Sequence, residues 1–152
     1  VFRVGGELRA SAAVSKQLLL NASLEYVYSR QTSGQKEGFT LPFSPPLSTV
    51  LSVNYKLENL FFFKNPQFIA DLRVTAAQEE IVPPEEKTAG YQVLNMSFLA
   101  DLDVFKNNNP VEMRVKLNNV FDTKYFNHTS FYRLIDVPEA GRNVSVSLTI
   151  PF

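Results

Sequence analysis

Hydrophobic residues recur at every second position along most of this chain. The clearest segment is residues 143–152, where polar and apolar side chains alternate without a break up to residue 150. Its apolar positions are Val144, Val146, Leu148, Ile150 and Phe152, and its polar positions are Asn143, Ser145, Ser147 and Thr149. Because successive side chains of a β-strand point to opposite faces, this period predicts a strand with one apolar and one polar face.

Six further segments alternate in the same way. They are residues 7–14, 20–29, 47–56, 67–76, 94–104 and 111–118, and Val50 and Leu99 are positions that break the pattern. Each segment has about ten residues, which exceeds the usual strand of about five or six residues in a soluble sheet. The sequence therefore predicts an all-β fold, an antiparallel up-and-down meander of about seven long strands.

The polar positions of these segments carry charges, whereas the apolar positions of the strand cores carry none. The charged positions include Glu25, Asp71, Arg73, Asp101, Glu112, Arg114 and Lys116. About ten tilted residues cross a bilayer, and a Lys or Arg at the bilayer midplane costs about 2–4 kcal/mol on a barrel's lipid face. An uncharged face therefore favours a membrane-spanning barrel, although the inner face of a soluble β-protein is apolar as well.

Short and long links alternate between the segments. Residues 15–17 and 106–110 are short and rich in turn formers, residues 58–66 are intermediate, and residues 31–46, 81–90 and 122–142 are long. Outer-membrane barrels have tight periplasmic turns and larger extracellular loops, so this alternation indicates such a barrel. Aromatic residues near the strand ends fit either the interfacial girdles of a barrel or a soluble core. These are Tyr26, Tyr28, Tyr55, Tyr91, Phe105, Phe121 and Phe152.

Composition argues against several functions. Lys and Arg together number 15, as do Asp and Glu, and this balance predicts no nucleic-acid partner. Cysteine is absent and His128 is the single histidine, so the chain offers neither a thiolate metal site nor a histidine pair. The sequence contains no phosphate-binding glycine loop and no nucleophile elbow. We therefore expect no enzyme activity, no catalytic residue, no metal site and no cofactor.

Several segments resemble motifs of TonB-dependent outer-membrane receptors, and they occur in the same order. Residues 116–128 read KLNNVFDTKYFNH and resemble the NxFDxKYxxH segment near the C-terminus of that family. Residues 138–143 read PEAGRN and resemble its PEPGRN motif before the last strand, with Ala140 in place of proline. Residues 147–152 resemble its terminal strand, residues 41–46 its LPFxPP loop, and residues 88–91 its TxGY segment.

The resemblance implies that residues 1–152 are the C-terminal segment of a receptor whose transmembrane β-barrel has about 22 strands, with the plug domain and earlier strands absent. The first residues already look like a strand and lack the features of a signal peptide, so we expect the chain to begin within a domain. The intact receptor would lie in the outer membrane of a Gram-negative cell and import a scarce nutrient, such as a ferric siderophore, haem or cobalamin.

The same resemblance implies a set of partners. They are outer-membrane lipid, the small nutrient chelate, TonB through the missing N-terminal region, and the barrel-assembly machinery through Phe152. TonB would pass on the energy for import. The isolated segment would have two open sheet edges, through which it could associate with itself.

Candidate site residues lie in the last long link. The resemblance implies ligand contact by His128, Tyr125, Tyr132 and Arg133 in an extracellular loop, with loop packing or solvation as the alternative. It implies a structural or assembly role for Asn118, Phe121, Tyr125, Glu139, Gly141, Arg142 and Phe152. We expect Gly141 to adopt a turn conformation that other residues avoid, and Arg142 to anchor the loop base or the barrel rim. The carboxylate pairs at residues 79–80 and 85–86 are expected to lie exposed in a charged loop.

The alternative to a receptor segment is a small complete barrel of about eight strands, either an outer-membrane structural protein or a lipocalin-like binder of one small ligand. A lipocalin has an apolar interior, and the charged face of these strands does not suit an oily pocket. Complete bacterial barrels normally have an even number of strands, which argues against a complete barrel of seven.

Overall fold

The computed structural model describes residues 1–103 and 110–150, and it contains a single antiparallel sheet of seven strands. The strands are β1 (Phe2–Ala13), β2 (Leu18–Arg30), β3 (Ser48–Lys56), β4 (Phe63–Thr75), β5 (Tyr91–Leu102), β6 (Val111–Asn118) and β7 (Asn143–Thr149). Each strand pairs with its neighbours in chain order. The predicted all-β up-and-down meander is therefore confirmed.

Four strands begin earlier than their alternation indicated, and the shift is two residues for β2, three for β5 and larger for β1 and β4. β1 starts at Phe2, because residues 2–6 already pair with residues 26–30 of β2. β4 starts at Phe63, and its register against β5 shifts between Lys64 and Gln67. A bulge of this kind breaks the period of two, which explains why the sequence pattern begins only after it. The predicted turn at residues 106–110 falls mostly on residues 104–109, which lie outside the described residues, as do Val104, Phe105 and Phe152.

The register sorts the side chains into one apolar and one polar face. One apolar row across the sheet consists of Leu20, Val53, Ala70, Met96, Leu117 and Val144. The adjacent polar row consists of Ser11, Asn21, Ser52, Asp71 and Asn95. Hydrogen bonds connect members of the polar row, from Ser11 Oγ to Asn21 Oδ1 at 2.8 Å and from Ser52 Oγ to Asp71 Oδ1 at 2.6 Å. Val50 and Leu99 lie on the polar face, as their break in the pattern indicated.

The apolar face is exposed over much of the sheet, although Ala100 in β5 and Val111 in β6 are buried. Leu51 in β3 is 46% exposed, and Phe68 in β4 and Met96 in β5 are exposed to a similar extent. In residues 1–103 and 110–150 no second sheet packs on this face, so the fold is not a sandwich. β1 and β7 each pair with one neighbour and not with each other. The described strands therefore do not close into the small complete barrel that was the alternative.

The links differ in length at the two ends of the sheet. At one end are the short turn after β1 and the hairpin between β3 and β4. At the other end are loop 1 (residues 31–47), loop 2 (residues 76–90) and loop 3 (residues 119–142). Loop 3 contains a short 3₁₀-helix, η1 (Phe131–Ile135), which the sequence pattern did not predict. No helix among the described residues is long and apolar enough to cross a membrane.

Candidate functional site: the loop layer

Loops 1–3 fold over the polar face of the sheet, at the end where the long links lie. Ser48, Thr75 and Val93 point to that face, and all three are buried, although no strand of residues 1–103 and 110–150 lies over that face. The ring of Tyr125 in loop 3 lies 4.3 Å from the ring of Tyr91, which is on the same face of β5. We call the three packed loops the loop layer.

One carboxylate connects all three loops. Glu85 of loop 2 accepts a hydrogen bond at Oε1 from the backbone N–H of Phe43 in loop 1, at 3.0 Å. The same oxygen forms an ion pair with Arg133 of loop 3 and lies 3.3 Å from Nε2 of His128. The side chains of Glu85, Arg133 and His128 are only 7%, 4% and 1% exposed. We call these three residues the charge cluster.

Arg133 holds loop 3 in place through several further contacts. Its Nε donates to the backbone oxygen of His128 at 2.7 Å, and another guanidinium nitrogen donates to the backbone oxygen of Glu86 at 3.4 Å. The guanidinium carbon lies 5.1 Å from the centre of the Phe43 ring, within the range of a cation–π contact. Arg133 therefore contacts residues of all three loops.

His128 is neutral in this environment. Its Nδ1 lies 2.9 Å from the hydroxyl oxygen of Thr88, and its Nε2 faces Glu85. Burial lowers the pKa of His128, and the nearby Arg133 charge lowers it further, whereas Glu85 offsets part of this effect. Nδ1 is within hydrogen-bond distance of the Thr88 hydroxyl group, whereas Nε2 is buried near Glu85 without a hydrogen-bond partner among the described residues. The charge cluster thus holds one negative and one positive charge.

Acidification is expected to loosen the loop layer. Because the pKa of His128 in the closed layer lies below its ordinary value, neutral His128 stabilises the layer fully above about pH 6.5. This contribution is lost as the pH falls from about 6.5 through the lowered pKa. Hydrogen–deuterium exchange of residues 125–137 in the complete protein, corrected for intrinsic rates, should show weaker protection at about pH 5.5 than at about pH 7.5.

The control for this experiment is His128→Gln, which retains a polar side chain but does not titrate near neutral pH. We expect its corrected protection to be nearly independent of pH over the same range. An equal loss of protection in this variant and in the natural protein would show that His128 is not the group responsible.

A second buried polar cluster joins loops 1 and 2 to the sheet. The hydroxyl oxygens of Ser29 and Thr40 lie 2.9 Å apart, and those of Ser29 and Ser44 lie 2.5 Å apart. Gln78 of loop 2 donates to the backbone oxygen of Ser44 at 2.7 Å. Because these polar groups are buried, their hydrogen bonds are needed to avoid a desolvation cost.

The base of loop 3 is built around Asn119, next to the Asn118 that the sequence motif singled out. Asn119 has a φ of 50° and is buried, and its side chain bonds to Thr123 and to the backbone oxygen of Ala140. Its backbone N–H donates to Asn95 Oδ1 at 2.9 Å. Asn118 makes one side-chain bond, to Asn143 at 2.9 Å. Asparagine tolerates this left-handed backbone better than most residues, which explains its presence.

Gly141 has a different role from the expected one. Its φ is not positive, so a special turn conformation does not explain this glycine. A Cβ at position 141 would lie 2.7 Å from Asp122 Oδ1, so a side chain there would require this carboxylate to move. The same carboxylate oxygen accepts from the backbone N–H of Arg142 at 2.7 Å, so Arg142 joins the loop base through its backbone.

The structure brings together some of the predicted ligand contacts. His128 and Arg133 share the charge cluster and are buried, whereas Tyr132 is exposed on η1. Tyr125 packs on Tyr91, and burial raises the pKa of its phenol. Ligand contact by these four residues stays a prediction, and contact with His128 would require the loop layer to open.

The remaining motif residues show mixed exposure. Phe121 is exposed, and the backbone N–H of Glu139 donates to the backbone oxygen of Tyr125 at 3.0 Å. The expectation that Glu85 lies exposed is wrong, because its carboxylate is enclosed by Phe43, His128 and Arg133. No spacing in the sequence distinguishes Glu85 from its neighbour Glu86.

A cleft of about 440 Å³ lies between loops 2 and 3. Lys87, Thr88, Lys124, Tyr125, Arg133 and Asp136 are among its lining residues. The lining therefore carries both signs of charge beside a phenol and a hydroxyl group. Among the described residues, no group of three or more His, Cys, Asp or Glu side chains is arranged to hold a metal ion.

Comparison with known proteins bears on the fold. No family model and no curated protein matches the sequence. A solved structure described as the copper transporter OprC is similar over 99% of this chain, with a TM-score of 0.79 and 23% sequence identity. The chain has the fold of a barrel-wall segment. The match covers 24% of the OprC chain, so this chain spans about a quarter of that protein's length.

Proposed function

We propose that this chain is the C-terminal segment of a TonB-dependent transporter in the outer membrane of a Gram-negative cell. The observation that carries this proposal is the apolar face, which runs across all seven strands opposite a charged face and bears one charged residue, Arg30 at the loop end of β2. Lipid outside and water inside a barrel require this distribution. The motif resemblance supports the family, and the likeness to a barrel-wall segment of a transporter supports the location.

In this proposal the described elements have separate tasks. The sheet forms part of the wall of a barrel of about 22 strands, and the strands and plug domain that precede it complete the transporter. Loops 1–3 lie outside the cell and the short links lie in the periplasm. Phe152 would contribute to the signal for the barrel-assembly machinery, and TonB would contact the N-terminal region. We expect no catalytic activity from this segment.

The substrate in this proposal is a small, scarce nutrient. Ferric siderophores, haem and cobalamin are candidates by resemblance to the receptor family, and copper is a candidate because the similar structure is described as a copper transporter. The cleft between loops 2 and 3 offers charged, phenol and hydroxyl groups, which suits a polar chelate better than an apolar molecule.

Uptake by whole cells tests the function. A strain lacking the complete gene is compared with the same strain carrying it, using labelled ferric siderophores, haem, cobalamin and copper. We expect the gene to restore accumulation of one of these compounds, and removal of TonB to abolish that accumulation. A sugar that crosses porins serves as a control for general permeability. If each compound accumulated to the same level in the strains with and without the gene, the proposal would be contradicted.

A further inference from the structure

The hairpin between β3 and β4 ends in two exposed phenylalanines. Leu60 and Phe63 exchange backbone hydrogen bonds of 3.0 and 2.9 Å, which leaves Phe61 and Phe62 as the turn. Phe61 is 92% exposed and Phe62 is 66% exposed. Exposing both rings to water would forgo the free energy that burial of aromatic surface supplies.

The backbone of this turn is also unfavourable for its sequence. Phe61 has a φ of 54°, in the left-handed region, where two-residue turns favour glycine, asparagine or aspartate. A bulky residue is strained in this backbone conformation. The turn after β1, at the same end of the sheet, consists of Ser15, Lys16 and Gln17. Aromatic residues are therefore not required for a tight turn at this end.

The turn continues an aromatic chain that leads onto the apolar face. The rings of Phe62 and Phe63 lie 4.3 Å apart, and those of Phe63 and Phe98 lie 5.3 Å apart. Phe98 in turn lies 4.8 Å from Phe68, its cross-strand partner on the apolar face. The apolar face thus continues through these rings to the tip of the hairpin.

The charges of the same hairpin lie on its other side. Lys64 forms an ion pair with Asp103 at 2.5 Å, and Asn65 donates to Asp101 at 2.8 Å. Asp101 lies in the row of Lys64 and Glu112 on the polar face. The hairpin tip is therefore amphipathic, with rings toward the apolar side and charges toward the polar side.

We propose that the Phe61–Phe62 turn is a lipid anchor that inserts into the interface of the periplasmic leaflet. This inference rests on the proposed function, because it requires the apolar face to contact the bilayer. Continuity with that face favours phospholipid over a protein as the occupant of the turn. Aromatic rings are favoured at the level of the lipid headgroups, where they are partly removed from water.

Fluorescence quenching in vesicles tests the anchor. Residues 1–152 contain no cysteine, so single cysteines are introduced by Phe61→Cys, Lys16→Cys and Leu51→Cys in the complete protein, after any cysteine elsewhere is replaced. Each is labelled with a small environment-sensitive fluorophore and reconstituted into phosphatidylethanolamine–phosphatidylglycerol vesicles. Lipids with a nitroxide at a shallow or a deep acyl position report contact with the bilayer, and iodide reports contact with water.

We expect shallow nitroxides to quench the label at position 61 severalfold more strongly than the label at position 16. Position 16 is the matched control, because it lies in an exposed turn at the same end of the sheet. Position 51 tests the wall itself and should be quenched by deep nitroxides and not by iodide.

Three results would overturn the inference. Equal iodide quenching at positions 61 and 16, together with lipid quenching at position 51, would show that the turn faces water. The lipid-anchor inference would then be wrong, whereas contact between the apolar face and lipid would still hold. Protection of position 61 from both iodide and nitroxides would show that a protein covers the turn. Iodide quenching at position 51 would contradict the proposed function itself.

Discussion

Arg133→Gln is expected to destabilise the closed loop layer by about 3–5 kcal/mol near pH 7.5, because the Glu85 carboxylate is then buried without its ion-pair partner. Arg133 and Glu85 are both almost fully buried, so solvent screens their interaction weakly. The substitution also removes the contacts of the guanidinium group with His128, Glu86 and Phe43. Loop 3 loses its main attachment to loops 1 and 2.

The pH dependence of this variant should have the opposite sign to that of the natural protein. In the natural layer, a proton on His128 adds a second positive charge beside Arg133. In Arg133→Gln, a proton taken up by His128 would neutralise the cluster, so acidification should restore part of the protection. This reversal distinguishes a missing charge from a simple loss of packing.

Hydrogen–deuterium exchange of residues 125–137 in the complete protein measures the opening of the layer. Lys87→Gln is the control, because Lys87 belongs to loop 2 and forms an exposed ion pair with Glu79 at 2.6 Å. Such a pair contributes about 0–1 kcal/mol. If the two variants lost similar protection, Arg133 would not be the main attachment of loop 3.

Leu51→Lys is expected to destabilise the protein in lipid by about 2–4 kcal/mol, because it places a charge on the lipid face near the middle of β3. Ser52→Lys is its neighbour on the polar face, where Ser52 already contacts Asp71. A lysine at position 52 faces water and this carboxylate, so we expect a change below about 1 kcal/mol.

Urea unfolding of the complete protein in lipid vesicles, followed by fluorescence, compares the two variants. In a soluble protein, the exposed Leu51 would tolerate lysine at least as well as Ser52 does. Equal effects, or a larger effect of Ser52→Lys, would therefore contradict contact between the apolar face and lipid.

The strands were predictable from the sequence because the sheet is a single layer. Outside the end that the loop layer covers, each face meets one environment, so the alternation of Leu20, Asn21 and Ala22 identifies the faces without knowledge of a packing partner. The early start of β4 was not predictable, because the irregularity between Lys64 and Gln67 changes the period. The role of Gly141 was not predictable either. The group that lies where its side chain would be is the carboxylate of Asp122, 19 residues earlier in the chain.

The sequence by itself determined the strands, their two faces and the alternation of short and long links, because these depend on a local period of two. It also indicated which loop carries His128 and Arg133. Only the tertiary structure decided that Glu85 is buried and that it joins Phe43, His128 and Arg133. These residues are more than 40 positions from Glu85 in the sequence, and no periodic pattern encodes contacts between separate loops.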